Sequence, residues 1–189
     1  MGRNKALVPF LGQAMIKRVY QRVRELATEV VVTTNNPEML RGLGVRLVVD
    51  RFPGRGALGG LFTALDAAEN PNVAVVACDM PFVSTGLLSH QLELLASEKC
   101  DAVIPKTSAG SEPFHAIYRR TTCLKAVQRA LQADNWRVDS WLGSVSVVYV
   151  GPEVTHRYDP HQVAFWNVNT PDELQRAEEL AKILDSHTV

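Results

Sequence analysis

The chain has 189 residues, 46% hydrophobic and 21% charged, and its 20 lysines and arginines balance 20 aspartates and glutamates. That length suits one domain with a substantial core, and the balanced charge leaves no footprint for nucleic acid or a membrane surface. Cys78, Cys100 and Cys123 are odd in number and lack C-x-x-C spacing, so they read as small buried hydrophobes of a reducing cytoplasm, not as a disulfide frame or zinc site.

No apolar run approaches the roughly 20 residues of a membrane span, and no apolar stretch follows the charged residues 1–5 as it would in a signal peptide. Met1 to Phe10 is neither periodic nor loop-like. Lys5 stands there among small and apolar neighbours, as an ordinary snorkelling lysine also would. Ile16, Val19, Tyr20, Val23 and Leu26 recur at helical spacing, with Lys17, Arg18, Gln21, Arg22 and Arg24 on the other faces, which predicts an amphipathic helix covering a sheet. Glu29 to Thr34 is predicted as a strand ending in the turn Asn35-Asn36-Pro37. A short helix from Pro37 to Leu43 leads to a strand from Val45 to Val49, closed by Asp50. Arg51 to Gly60 then holds four glycines and runs into a helix carrying Leu61, Phe62 and Leu65. Gly-rich backbone at a helix N-terminus points N–H groups at a ligand and permits close approach; a flexible turn has the same composition.

Val73-Ala-Val-Val-Ala-Cys78 follows the turn signal Asn70-Pro71-Asn72. A run this short and without alternation predicts a strand buried on both faces. It stops at Asp79, and Pro81 blocks simple continuation of the ladder. Asp79 is therefore expected at the carboxyl end of a central parallel strand, where open α/β sheets bind ligands. A lone aspartate there also suits a cap, but Asp50 repeats the pattern, and two strand-end carboxylates beside a glycine loop favour a ligand.

A helix capped by Ser84 or Thr85 follows, with Leu87, Leu88, Leu92 and Leu95 inward. Asp101 to Pro105 is predicted as a strand, Lys106 to Ser111 as a polar loop, and Glu112 to Tyr118 as an extended segment. His115 and Tyr118 are placed within reach of a cleft, His115 serving equally well as a hydrogen-bonded structural histidine. A helix through Thr122, Leu124, Val127 and Leu131, a short helix holding Trp136 and Trp141, a strand from Ser144 to Val150 and a loop around Asp159-Pro160 complete the middle of the chain. Phe165-Trp-Asn-Val-Asn169 puts two amides at alternate positions, on one side of an extended segment. Thr170-Pro171-Asp172-Glu173 is a capping box with proline at the first helical position, opening a last helix.

This alternation predicts an α/β chain of three layers, with a parallel or mixed sheet covered on both faces. Asp50, Asp79, Asn167, Asn169 and Lys5 do not serve packing and fall at element ends. Two carboxylates, a lysine and a glycine loop suit magnesium and a nucleotide phosphate, since magnesium takes one or two carboxylates and completes its shell from phosphate and water.

These residues resemble those of the molybdenum cofactor guanylyltransferases (MobA family), within the nucleotide-diphospho-sugar transferase fold. Met1-Gly-x-x-Lys5 is similar to the tail of that family's L-A-G-G-x-S-x-R-M-G-x-x-K signature. Asp50 with Gly56-Ala-Leu-Gly-Gly60 is similar to its base-binding region, and Cys78-Asp-Met-Pro81 to its metal-binding strand end. Glu112 to Tyr118 resembles its substrate-side segment, and Phe165 to Pro171 its closing motif.

The resemblance implies a mostly parallel, Rossmann-like α/β/α sheet in a single nucleotidyltransferase domain, residues 1–189. It implies transfer of GMP from GTP to molybdopterin with release of pyrophosphate, with Mg²⁺ as cofactor. Lys5 and Asp79 would be catalytic and Asp79 the metal ligand. Gly2, Lys5, Asp50, Gly56, Leu58 and Asp79 would bind the nucleotide, and Asn167 and Asn169 the acceptor. Expected partners are GTP, molybdopterin and other cofactor-biosynthesis proteins, in the cytoplasm, without nucleic acid or membrane. The alternatives are a cytidylyltransferase or sugar-1-phosphate nucleotidyltransferase on the same fold, and a non-catalytic nucleotide- or cofactor-binding protein. The resemblance also places a first strand and a phosphate-wrapping glycine loop ahead of Met1, so the chain is expected to be N-terminally truncated relative to the family and short of a strand beside Asp79.

Overall fold

The sheet at the centre is built from strands whose alternate residues serve two different cores. The computed structural model describes residues 5–186. In chain order a 3-10 turn (Lys5–Leu7) leads to β1 (Pro9–Phe10), β2 (Gln13–Ala14), α1 (Met15–Val23), β3 (Val31–Thr33), a 3-10 helix (Pro37–Leu43) and β4 (Arg46–Val48). Then come α2 (Gly56–Ala67), β5 (Asn72–Val76), α3 (Thr85–Ser97), β6 (Ala102–Thr107), β7 (Gly110–Ser111), β8 (His115–Arg119) and α4 (Arg120–Gln132). A 3-10 turn (Leu142–Ser144), β9 (Val147–Val150), α5 (Pro152–Tyr158) and α6 (Pro171–Ser186) finish the chain.

The main sheet runs β5-β8-β6, with β9 parallel to β6 and the short β7 antiparallel on its end. Strand β8 is antiparallel to both β5 and β6, so the sheet is mixed. Ala102, Ile104, Ala116 and Tyr118 face one side, packing against α2, α4 and Trp141. Val103 and Ile117, between them in sequence, face the other side with Val19 of α1 and Leu87 and Leu88 of α3. Two helical layers on one sheet give the three-layer α/β class expected from the sequence.

Strands β3 and β4 form a separate parallel ribbon, and α2 lies against both β3 and β5. A third cluster joins Phe10, Met15, Phe82 and Val168 to Ala177 and Ala181 of α6. The β1–β2 hairpin turns through Leu11 and Gly12, both at positive φ (47° and 80°), as a two-residue hairpin turn requires. Leucine at the first of these positions concealed that turn from sequence.

Several expectations need correction. Strand β5 carries an exposed residue, Ala74, at its middle, and is not covered on both edges. Its paired neighbour runs antiparallel, and among the described residues it has no parallel partner. Trp136 is not helical, and Trp141 precedes a 3-10 turn. The Asp159-Pro160 loop is present as expected, but helix α5 precedes it unannounced, its sequence PEVTHRY having no apolar stripe. Arg18, assigned to the outer face of α1, is buried. The caps agree with expectation: Ser84 Oγ accepts from the Leu87 N–H, and Thr170 and Glu173 close the reciprocal box at 3.2 and 2.9 Å.

Candidate active site

Asp79 ends the turn that follows β5. The Ala77 N–H still donates to the Phe114 carbonyl of the neighbouring strand connection (3.1 Å), after which the Met80 N–H turns back to the Ala77 carbonyl (3.4 Å). Three contacts hold this turn from outside. The Val168 N–H donates to the Asp79 carbonyl (2.9 Å), Arg18 Nε to the Pro81 carbonyl (3.2 Å) and Arg22 Nε to the Val83 carbonyl (3.0 Å). Arg18 is itself gripped by both carboxylate oxygens of Asp185 in α6, at 2.9 and 3.1 Å. Phe82 stacks on Trp166 with 6.0 Å between ring centroids.

The Val168 contact brings the segment Asn167–Asn169 alongside Asp79. Lys5 Nζ donates to Asn169 Oδ1 at 2.5 Å and stands 3.9 Å from Asp79 Oδ2. Asn169 Nδ2 donates to the Asn167 carbonyl (3.2 Å), and Glu173 Oε2 accepts from the Asn169 and Thr170 N–H groups (2.7 and 2.9 Å). Those bonds hold the Glu173 carboxyl below the usual range, the Asn169 N–H contributing most. Asn167 and Asp79 border one cavity. Four residues expected at a site, Lys5, Asp79, Asn167 and Asn169, therefore meet at one end of the sheet.

Asp50, Gly56 and Leu58 form a second group, at the start of α2. Asp50 Oδ1 accepts from the Phe52 N–H (3.0 Å) and from Thr63 Oγ (2.9 Å), and so shapes the loop into the helix. Gly56 is the first helical residue, at φ 58°. Leu58, expected to bind the nucleotide, is completely buried in the core. The helix begins inside the glycine stretch, so Gly59 and Gly60 are helical and not loop. A Cβ on Gly59 would lie 2.8 Å from the Phe52 carbonyl oxygen, which makes Gly59 a close-packing glycine. Gly2 lies outside the described residues.

His115 and Tyr118 do not reach a cleft. Both are completely buried. His115 Nε2 accepts from the Ser84 N–H (3.1 Å), and burial lowers its pKa to about 4, so it is a neutral structural histidine that orients the start of α3. The Tyr118 hydroxyl donates to the Pro113 carbonyl (2.7 Å). Glu112 stays half-buried near Thr107, and burial pushes its pKa up.

Arg18 and Glu173 escaped the sequence reading as site supports. Arg18 sits one position before Val19 on the apolar stripe of α1, and a buried arginine on such a stripe signals a fixed partner.

Among the described residues no group of three or more His, Cys, Asp or Glu is placed to hold a metal. Metal binding would therefore rest on Asp79, which borders the same cavity as Asn167. An all-oxygen set with a single carboxylate fits magnesium, which draws its other ligands from phosphate and water. The arrangement pairs a carboxylate, 17% exposed, with a lysine, 43% exposed, at the end of a β-strand. Such a site can hold a polyanion and its counter-cation together.

Fold and site together define an α/β protein with a lysine–carboxylate pair at a strand end. The profile of the MobA-like NTP transferase domain matches residues 1–147. A probable molybdenum cofactor guanylyltransferase of Pelotomaculum thermopropionicum is 35% identical over 182 residues, covering 96% of this chain and 87% of the relative. The crystal structure of molybdopterin-guanine dinucleotide biosynthesis protein A from Archaeoglobus fulgidus superposes with a TM-score of 0.82 at 28% identity, over 96% of this chain and 92% of that one. A 2-C-methyl-D-erythritol 4-phosphate cytidylyltransferase from Thermus thermophilus shares the fold at 21% identity and TM-score 0.70, over 94% of each chain. The chain belongs to the MobA-like NTP transferase family, among the molybdenum cofactor guanylyltransferases. No helix among the described residues is long and apolar enough to cross a membrane.

Proposed function

We propose that this protein is a cytoplasmic single-domain enzyme that transfers GMP from GTP to molybdopterin, giving the guanine dinucleotide form of the cofactor and pyrophosphate. The observation that carries this reading is the meeting of Lys5, Asp79 and Asn169 at one strand end, in a chain of this family.

The acceptor phosphate oxygen forms a bond to the α-phosphorus of GTP as the bond to the departing pyrophosphate breaks. The attacking phosphate is ionised at neutral pH, so no side chain is required as a general base. Lys5 faces the phosphates and offsets their charge as it reorganises in the transition state. Asn169 holds the Lys5 ammonium, and Glu173 in turn holds the Asn169 backbone. Asp79 is the residue that would hold Mg²⁺, which when bound neutralises phosphate charge and favours in-line alignment. Asp50 shapes the loop into α2, and the first N–H groups of that helix, at the exposed Gly56 and Ala57, meet the nucleotide. Asn167 and Asn169 line the acceptor side.

The test is pyrophosphate release from GTP with molybdopterin and Mg²⁺, repeated with CTP. Release and dinucleotide formation with GTP, and little with CTP, are expected. A preference for CTP, or for a sugar 1-phosphate as acceptor, would overturn the reading.

A further inference from the structure

Three side chains tie the loop that leaves α4 to the loop that enters α2. Helix α4 closes in a Schellman motif, in which the Asp134 N–H donates to the Leu131 carbonyl (3.1 Å) and the Asn135 N–H to the Ala130 carbonyl (3.0 Å). The left-handed position of that motif ordinarily takes glycine, yet here it is Asp134, at φ 58°. The aspartate has a use that glycine would lack. Its Oδ1 accepts from Arg55 Nη1 (2.6 Å) and from Trp136 Nε1 (2.7 Å). The Arg55 guanidinium also lies over the Trp136 ring, its carbon 4.0 Å from the ring centroid. The two donors hold the Asp134 carboxyl below the usual range, Arg55 contributing most.

Stability does not account for this arrangement. Trp136 is 46% exposed and belongs to none of the four apolar clusters of the described residues. Exposed ion pairs and exposed cation–aromatic pairs contribute little to folding. What the three residues achieve is a fixed ring. The indole is held at its edge by Asp134 and covered on one face by Arg55, which leaves the opposite face as the open one.

That ring stands near the proposed site. Arg55 is the residue before Gly56. Helix α2 ends at Ala67, five positions before β5 begins at Asn72, and packs on that strand. It therefore runs back along β5. Its first turn, with Arg55 and the Trp136 ring beside it, lies at the end of the sheet where Asp79 is found.

We infer that the open face of Trp136 is a stacking platform for a planar fused heterocycle bound at the start of α2. This rests on the reading of the protein as a guanylyltransferase, which supplies two such rings, the guanine of GTP and the pterin of the acceptor. An aromatic face stacks either ring, and fixing the indole beforehand removes the ordering cost on binding. Arg55 and Asp134 are positioning residues, since they touch the indole and not the ligand.

The experiment measures binding without turnover, by calorimetric titration with GTP alone and with molybdopterin alone, both in magnesium. It compares the wild type with Trp136→Leu, Trp136→Phe and Arg55→Met, with a thermal melt and a sedimentation run on each. Trp136→Leu should weaken binding of GTP or of molybdopterin at least about tenfold, and the ligand affected names the ring that stacks. Trp136→Phe keeps an aromatic face and should recover most of the loss. Arg55→Met frees the indole and should fall between the wild type and Trp136→Leu. The melting temperatures should scarcely move, because the cluster is exposed. Equal affinities in all four proteins for both ligands would overturn the proposal, as would a phenylalanine variant as weak as leucine. So would lost self-association at unchanged affinity, which would make Trp136 a contact between copies. A wild type that binds neither ligand would instead fail the guanylyltransferase reading, and the platform with it.

Discussion

Lys5 and Asn169 are 164 positions apart in the chain, yet Lys5 Nζ lies 2.5 Å from the Asn169 side-chain oxygen and 3.9 Å from Asp79. The first turn of the described chain and the cap of its last helix thus converge on the end of β5. This junction sets what each substitution should do.

Lys5→Ala removes the one cation this cluster contributes. An exposed ion pair of this geometry adds at most about 1 kcal/mol to stability, so the melting temperature should scarcely move. A charge that acts on the developing transition state is worth about 10²–10³ in kcat. Single-turnover guanylyl transfer beside a thermal melt separates the two effects; unchanged transfer would return Lys5 to the status of a surface lysine.

Arg18 joins the Pro81 carbonyl to Asp185 of α6 from a buried position. Arg18→Met leaves a carbonyl without its partner, at a cost of about 1–3 kcal/mol, and frees the turn that carries Asp79. Arg18→Lys keeps the charge but cannot fork between both partners, so it should fall between wild type and Arg18→Met in stability and in kcat. Urea titrations and kinetics on the three proteins check the order. A lysine variant as impaired as methionine would show that charge contributes nothing.

Gly59→Ala places a methyl group 2.8 Å from the Phe52 carbonyl oxygen, which is backbone and yields only if the loop moves. Overpacking of this kind costs about 1–3 kcal/mol. Because that loop carries Asp50 and leads to Gly56, GTP affinity should fall along with stability. Calorimetric titration with GTP reads the first and a melt the second.

His115 is buried and neutral, its pKa lowered from 6.5 to about 4 by desolvation. An unfolded chain binds this proton more readily than the folded one, so stability is fully present above pH 6.5 and is lost as pH falls from 6.5 toward 4. At about 1.4 kcal/mol per unit, the loss is on the order of 3 kcal/mol across that window. His115→Asn should be less stable at pH 7, through the lost Ser84 contact and packing, but should lack this share of the slope. Chemical denaturation at pH 7, 6, 5 and 4 tests it, and identical slopes in both proteins would contradict it.

The order of strands and helices was legible because apolar periodicity and strong punctuation agree: Asn35-Asn36-Pro37, Asn70-Pro71-Asn72 and Thr170-Pro171-Asp172-Glu173 all mark real boundaries. The convergence of Lys5, Asp79, Asn167 and Asn169 could be expected from their places at element ends. Side-chain direction could not. His115 and Tyr118 stand in a polar-looking segment, yet β8 is central, and both of its faces are covered by helices. Arg18 looked solvated because helical spacing counts apolar residues and ignores a buried guanidinium that meets its partners 63 and 167 positions away. The exposure of Ala74 depends on which strand lies beside β5, a tertiary fact with no local signature.

The most direct test of the proposed site is Asp79→Asn, assayed for GTP-dependent pyrophosphate release with molybdopterin across a magnesium titration, with a melt on the same preparation. The side chain of Asp79 lies at a strand end and outside the four apolar clusters, so folding should be nearly unchanged, whereas loss of the metal-holding carboxylate should lower release at least about 10²-fold at any magnesium concentration. Wild-type release by a folded Asp79→Asn protein would contradict the assignment of this strand end as the catalytic centre.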